Sequence, residues 1–452
     1  MKNILIFGAG RSSHVLIGYL LGESEKNNYR ITVIDQNANL IDQKVNGHTN
    51  GQAIKLDIRN DEARDRLIEQ ADIVISMLPV RFHLIIAQSC LRLKKNLITA
   101  SYVTPEIDKL NNEVKKAGII FLNECGLDPG IDHMSAMSVI DKIRNSGNTL
   151  RSFETFTGGL LAPNPDENPW QYKFTWNPKN VVLAGKGGVK FLQEGKYKYI
   201  PYHKVFRRTE MVHIPGHGYF EGYANRDSLK YMNLYGLEGI KTLYRGTFRR
   251  PGFCRAWDIF VQLGATADDY LMDNVQTMTH KDFINSFLSY NPYDSVELKL
   301  AHYINLPFNS PEMFKMRWLG MFDDEPVGLS EGSPAQIFEH ILKKKWNLNK
   351  TDLDMVVMWH KFEFFEDDKL KVINAYMIAT GEDVNTTGMA KTVGLPVGIA
   401  AKLILENRIM LKGIQIPIKE EIYRPVLEEL KASGIEVQEE KPREIKMPDN
   451  NL

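Results

Sequence analysis

Cysteine is scarce in this chain: Cys90, Cys125 and Cys254 are the three in 452 residues, and they show no pairing pattern. That excludes a disulfide framework and points to a reducing compartment. Net charge is missing too, since 56 basic side chains balance 56 acidic ones. A nucleic acid or an anionic membrane therefore finds no electrostatic footprint as a partner. No apolar run reads as approaching membrane-spanning length, and the N-terminal apolar stretch is broken by Gly8-Ala-Gly-Arg11, so neither a signal peptide nor an anchor is expected. The histidines are scattered and the cysteines isolated, which leaves no metal-ligand spacing. The expectation is a soluble, cytoplasmic protein of two or three domains, with 43% hydrophobic residues to fill their cores.

What is present starts at the second residue. Lys2-Asn-Ile-Leu-Ile-Phe-Gly-Ala-Gly-Arg-Ser-Ser13 and then Ile31-Thr-Val-Ile-Asp35 read as a buried strand, a glycine turn, a helix and a second strand ending on an acid. Gly8 and Gly10 allow a sharp turn and let bare backbone approach a pyrophosphate. With Ala9, Arg11, Ser12 and Ser13 they bring the positive end of the following helix toward that anion. Ser13 stands where a third glycine is usual, a tolerable small substitute. Asp35 lies at the distance where a carboxylate accepts hydrogen bonds from a ribose diol, and it repels a 2′-phosphate. The cofactor expected is NAD, with NADP as second choice.

Strand and helix keep alternating through the first 125 residues: strands at Ala53–Leu56, Ile73–Met77, Leu97–Ala100 and Ile119–Leu122, helices at Glu62–Glu69, Leu84–Leu93 and Pro105–Ala117. Such alternation specifies a doubly wound parallel sheet whose ligands lie beyond the carboxyl ends of the strands. From 151 to 255 the texture becomes that of an antiparallel α+β domain, with strands read at Ser152–Phe156, Val181–Ala184, Met211–Ile214 and Thr242–Phe248. Residues 257–350 turn helical, 354–380 return to strands, and Ala390–Asn407 reads as a small-residue helix. The tail from Gly434 is charged and reads as loose.

Several blocks together resemble the glutamate-forming saccharopine dehydrogenases. They are Ile98-Thr-Ala-Ser-Tyr-Val-Thr-Pro105, Gly126-Leu-Asp-Pro-Gly-Ile-Asp-His133, Tyr172-Lys-Phe-Thr-Trp176, Tyr223-Ala-Asn-Arg-Asp-Ser228, Arg245-Gly-Thr-Phe-Arg249 and Gly388-Met-Ala-Lys-Thr-Val-Gly-Leu-Pro396. The resemblance runs in order along almost the whole chain. It implies an α/β fold: a Rossmann-type doubly wound parallel sheet, a central α+β substrate domain and a small helical domain. The expected boundaries are 1–128 for the dinucleotide domain, completed by about 388–440; 129–256 with 354–387 for the substrate domain; and 257–353 for the helical one.

The activity implied is reversible oxidation of saccharopine, a secondary amine bearing three carboxylates, by a nicotinamide cofactor and water to glutamate and 2-aminoadipate 6-semialdehyde. Carried over residue by residue, Asp57, Ile58, Met77, Leu78, Pro79 and Trp176 match positions along the dinucleotide. Leu127, Asp128 and Pro129 match a block shared by cofactor and substrate, and Asp128 is the candidate acid–base group. Ser101, Tyr102, Arg226, Thr247, Phe248 and Arg249 match substrate contacts, the arginines for carboxylates. Arg245 and Arg250 compete with Arg249 for that role. His83 and His133 are expected to be satisfied, hydrogen-bonded side chains rather than catalytic ones, and Cys125 a small buried residue.

One departure bears on the substrate. The family's Cys-Gly-Gly-Leu-Pro-Ala-Pro loop reads Thr157-Gly-Gly-Leu-Leu-Ala-Pro163 in this chain, and the neighbours of Glu167-Asn-Pro169 also change. Two alternatives stay open: a reductase of another amino-acid semialdehyde imine, of the carboxyspermidine type, and a non-catalytic nucleotide-binding regulator. The expected partner is a small molecule with several carboxylates, and the assembly leaves room for a homodimer.

Overall fold

The computed structural model describes residues 1–163 and 168–446. Asp166 and Glu167 of the altered loop lie outside the described residues. The chain divides into two compact units, one of residues 1–150 with 364–452 and one of residues 151–363.

The first unit is built on a seven-stranded sheet. Across it run Gly413–Gln415, Ile120–Leu122, Asn96–Thr99, Ile73–Ser76, Lys2–Phe7, Tyr29–Asp35 and Gly51–Lys55, every neighbouring pair parallel. The apolar runs read from the sequence are the strands buried on both faces: Phe7, Ile34, Val74, Leu97 and Phe121 meet in one core cluster. Lys2–Phe7 sits where the chain reverses its order across the sheet, between Tyr29–Asp35 and Ile73–Ser76. In a doubly wound sheet that switch point opens the crevice where a dinucleotide lies.

The helix Ser13–Gly22 follows the first strand, and a long helix, Gly388–Leu405, packs on it. The contact is close because it is made through glycine. A Cβ on Gly394 would stand 2.9 Å from the backbone nitrogen of Leu16 and 3.1 Å from the carbonyl of Ser12. The tight packing usually assigned to the third glycine of the turn is thus supplied from the opposite helix, which leaves room for Ser13.

Three expectations are corrected in this unit. Gly388–Leu405 is, by length and composition, apolar enough to cross a membrane, contrary to the reading that no run approaches that length. Its 78% burial inside the protein shows why it is so apolar: it is a core helix. The tail is not loose throughout, because Gln438–Glu439 and Arg443–Glu444 pair antiparallel with Lys369–Thr380. The single helix expected over Pro105–Ala117 is two, Pro105–Asp108 and Asn111–Lys116.

The second unit carries a sheet in the order Thr209–Ile214, Gly218–Ala224, Thr242–Arg249, Thr149–Leu161 and Asp354–Glu366. The hairpin Val189–Gln193 with Lys196–Ile200 joins it at Leu243. Val181–Ala184, read as a strand, is the end of the helix Pro178–Val182 and the turn after it. Asn177 caps that helix, its side chain accepting from the Lys179 N–H, and Pro178 supplies a preset first turn. These local signals outweigh the β-branched pair Val181-Val182. The helices Phe253–Leu263 and Pro334–Trp346 close on an aromatic core in which Trp346 lies 5.4 Å from Trp170 and 5.8 Å from Trp257, centroid to centroid.

Gly394→Val places atoms against backbone that has no rotamer to yield. We expect destabilisation of about 2 kcal/mol, the range for overpacking a close contact, seen as a lowered thermal midpoint with weaker cofactor binding. An unchanged midpoint contradicts the packing described.

Candidate functional site

In the first unit the glycine turn is held from both sides. The Gly8 N–H donates to the Ile34 carbonyl at 2.8 Å, and the Met77 N–H donates to the Phe7 carbonyl at 2.8 Å. Gly8 has φ +103°, and a Cβ there would stand 2.7 Å from the Met77 oxygen, so the position requires glycine. At Gly10 the space where a Cβ would point is open for 4 Å. That is the cradle a pyrophosphate needs, and the next helix starts beside it with no side-chain cap from Ser12 and no acid in its first turn. These residues fit a dinucleotide cofactor.

Asp35 is already engaged with this turn. One carboxylate oxygen accepts from the Ala9 N–H at 2.8 Å and the other from the Asn37 N–H at 3.0 Å. Each oxygen keeps a lone pair for a ribose hydroxyl. A shallow depression lined by Asp35, Gln36, Asn37, Ala38, Asn39 and Lys55 opens beside it. Lys44, which the sequence reading missed, reaches back from the next helix to the Gly10 carbonyl and to Ser13 Oγ. Burial lowers its ammonium to about 8, with the nearby Asp35 carboxylate opposing that shift. Only the fold brings a lysine 34 positions away onto the glycine turn. Asp57, held near 2 by hydrogen bonds from Arg59, is a surface carboxylate at the end of the next strand, with Ile58 buried after it.

The neighbouring strand ends carry the rest of this set. Met77 and Leu78 are half-buried and Pro79 exposed. Tyr102 Oη donates to Asp128 at a long 3.4 Å, which brings the acid–base candidate next to the Ser101–Tyr102 pair. Asp128 does not cap the helix Ile131–Asn145: Gly130 takes the cap position, and its N–H donates to Asp132 at 2.6 Å. On the other flank, buried Glu124 accepts from the Val103 N–H and bonds His133 Nε2 at 2.9 Å. The Leu127–Pro129 block is therefore pinned at both ends. Cys125 is buried, which pushes its thiol well up and makes it inert.

His83 is buried, and both ring nitrogens are bonded as expected: Nδ1 to Ser76 Oγ and Nε2 to Ser101 Oγ, each at 2.8 Å. Burial pushes its imidazole from the ordinary 6.5 down to about 4.

The remaining candidate residues lie in the second unit. Arg226 is exposed and adopts φ +50°, an unusual conformation for a bulky residue. Its loop is tied down around it: the Lys190 N–H donates to the Arg226 carbonyl, the Asn225 N–H to the Arg245 carbonyl, and the Arg245 N–H to Ser228 Oγ. Thr247 pairs in register with Thr157, whose buried hydroxyl has no partner among the described residues. Phe248 is buried, and Gly158 lets its carbonyl approach to within 2.6 Å of where a Cβ would be.

Arg249 differs from its two competitors. Arg245 stacks on Tyr231 and Arg250 on Phe220. Arg249 is only 4% exposed and is ringed by Tyr172, Tyr223 and Phe253. One terminal nitrogen donates to the Phe248 carbonyl at 2.8 Å, but its Nε is buried without a partner among the described residues. Trp176 is 36% exposed.

A Rossmann sheet with a glycine turn at its switch point and an acid at the end of the neighbouring strand defines the first unit as a nicotinamide-dinucleotide-binding domain. Family comparison agrees on both halves: residues 4–122 match the saccharopine dehydrogenase NADP binding domain and residues 126–435 the saccharopine dehydrogenase C-terminal domain. The chain belongs to the saccharopine dehydrogenase family. It is 30% identical over 450 residues to the saccharopine dehydrogenase [NADP(+), L-glutamate-forming] of Schizosaccharomyces pombe, covering 97% of this chain and 99% of that one. It is 35% identical over 442 residues to the mitochondrial alpha-aminoadipic semialdehyde synthase of Rattus norvegicus, but spans only 47% of that protein's length. The solved saccharopine dehydrogenase (L-Glu forming) of Saccharomyces cerevisiae superposes with a TM-score of 0.89 at 29% identity, over 98% of this chain and 100% of the other.

The His83 environment makes a pH prediction. The folded state holds the ring neutral, so its contribution is complete above about pH 6.5 and is lost as pH falls toward 4, about 3 kcal/mol in all. Urea unfolding between pH 7.5 and 4.5 will show this loss in the native protein and a shallower one in His83→Gln. Parallel curves contradict it.

Proposed function

We propose that this chain oxidises saccharopine to glutamate and 2-aminoadipate 6-semialdehyde with NAD as preferred cofactor, in lysine metabolism in the cytoplasm. The observation that carries the substrate class is Arg249. A guanidinium stays charged in a protein, and burying one without an anion is costly. Among the described residues no carboxylate pairs with it. Aromatic faces offset part of that cost. An anionic ligand such as a substrate carboxylate would offset the rest through the unpartnered Nε, with the Thr157 hydroxyl as a further donor. Arg226, on its tied loop, presents a planar fork for a second carboxylate.

The bound nicotinamide would supply the acceptor for the hydride leaving the carbon beside the substrate nitrogen. The chain's own residues do the rest. The Gly8–Ser13 turn and the uncapped helix behind it receive the pyrophosphate. Asp35 receives the ribose diol. Asp128, beside Tyr102, would accept a hydrogen bond from the substrate amine and take a proton as the nitrogen loses its own or as water adds to the imine. The carboxylate at position 35 is also the reason for preferring NAD, although the fungal relatives are named for NADP(+): a 2′-phosphate beside Asp35 sets like charges against each other.

Two variants test these assignments. Asp35→Ser should weaken NAD use and raise NADP use, shifting the ratio of kcat/KM values by at least about tenfold, the worth of one charged hydrogen bond. An unmoved ratio removes Asp35 from cofactor choice. Arg226→Ala should lower kcat/KM for saccharopine by about 10- to 100-fold with NADH binding unchanged by fluorescence titration. Full saccharopine turnover in that variant contradicts the carboxylate role.

A further inference from the structure

The Ser76–His83–Ser101 chain has a direction that its surroundings decide. Ser76 ends the strand Ile73–Ser76 and is fully buried, and among the described residues its hydroxyl has a single partner, His83 Nδ1. His83 begins the helix His83–Arg92, follows a tight turn over Val80–Phe82, and is itself buried. Ser101, just past the strand Asn96–Thr99, is half-buried, and its hydroxyl likewise has His83 as its one protein partner among the described residues.

A neutral imidazole donates from one nitrogen and accepts at the other, so only two arrangements exist. With the proton on Nδ1, the ring donates to Ser76 Oγ and accepts from Ser101. The Ser76 proton is then buried with no acceptor, the arrangement that buried hydroxyls avoid. With the proton on Nε2, the Ser76 hydroxyl donates to Nδ1 and Nε2–H donates to Ser101 Oγ. Every buried donor is then satisfied, and the Ser101 proton is the one left over, on the residue with solvent access.

We propose that Ser76 and His83 fix Ser101 as a hydrogen-bond donor whose proton is reserved for a carboxylate oxygen of the substrate, with His83 acting as a positioning residue. The identity of the ligand rests on the saccharopine reading; the direction of the chain does not. His83 transfers no proton in this scheme and stays neutral across the working range. Its contribution is to prevent Ser101 from turning its hydroxyl inward, so it acts on substrate affinity more than on the chemical step.

The direct test is the tautomer. Protein labelled with ¹⁵N-histidine, with the His83 signals assigned by their absence in His83→Gln, should show a protonated Nε2 and an unprotonated, hydrogen-bond-accepting Nδ1 at neutral pH. A proton on Nδ1 overturns the proposal whatever the protein's activity. Kinetics test the consequence. His83→Phe should raise KM for saccharopine about tenfold, the worth of one oriented hydrogen bond to an anion, with kcat within threefold and the KM for cofactor unchanged. Ser101→Ala should do the same, and the double variant should be no worse than Ser101→Ala alone. His83→Gln, which keeps an N–H in reach of Ser101, should recover most of the loss.

Multiplying effects in the double variant, or an unchanged KM in His83→Phe, would show that His83 does not act through Ser101. If His83→Phe also loses NADH binding, Ser76→Ala takes its place, because it removes the inward acceptor's partner without emptying the ring's cavity. A raised KM supports the relay and an unchanged one overturns it. A native protein that binds NADH yet leaves saccharopine untouched would remove the substrate assignment, while the tautomer still decides the relay.

Discussion

Bare backbone passing bare backbone at the sheet's switch point is the contact on which the nucleotide half depends. Where Lys2–Phe7 ends, Gly8 lies so close to the Met77 carbonyl that a side chain would stand 2.7 Å from its oxygen. The same glycine bonds across to Ile34 on the other side. Strands on both flanks are thereby locked to one turn, which sets where the helix Ser13–Gly22 begins and where its positive end points. Gly394 then lets the long C-terminal helix lie directly on that helix. Asp35 and Lys44 close the ring from the next strand and helix, one accepting from the Ala9 N–H and the other donating to the Gly10 carbonyl. A carboxylate and an ammonium thus both hold the turn, at adjacent residues.

The first unit holds three hydrogen-bonded clusters: Tyr102 with Asp128, Glu124 with His133, and His83 between two serines. In the second, Arg249 is a cation held among rings, and Arg226 sits on a strained loop tied by backbone hydrogen bonds. Among the described residues the second unit also holds a positive φ at Arg226 and buried polar groups without a partner, the Arg249 Nε and the Thr157 hydroxyl among them.

Much of the parallel sheet was legible because its strands are short apolar runs separated by turn residues, a pattern that burial on both faces imposes. Gly8, Gly10 and Asp35 could be placed at strand ends for the same reason. Local pattern failed where a stronger local signal or a distant partner decided. Asn177 and Pro178 made a helix of residues that favour strands. The polar tail gained order by adding to the edge of Lys369–Thr380. Gly388–Leu405 is apolar enough for a membrane because nearly every face is enclosed by protein. Lys44 was invisible because a lysine on a helix gives no hint that the fold will bury it on a glycine turn. The ranking of Arg249 over Arg245 and Arg250 likewise needed the ring contacts, since all three lie within six residues of one strand end.

The central claim is that this chain removes a hydride from saccharopine and prefers NAD because of Asp35. The most direct measurement is the appearance of reduced nicotinamide absorbance when the purified protein meets saccharopine with NAD, and with NADP in parallel. Rapid reduction of NAD with slower reduction of NADP is the predicted result. No absorbance change with either cofactor, in a protein that still binds NADH, would contradict the account and turn attention to another imine substrate and the altered loop at Thr157–Leu161.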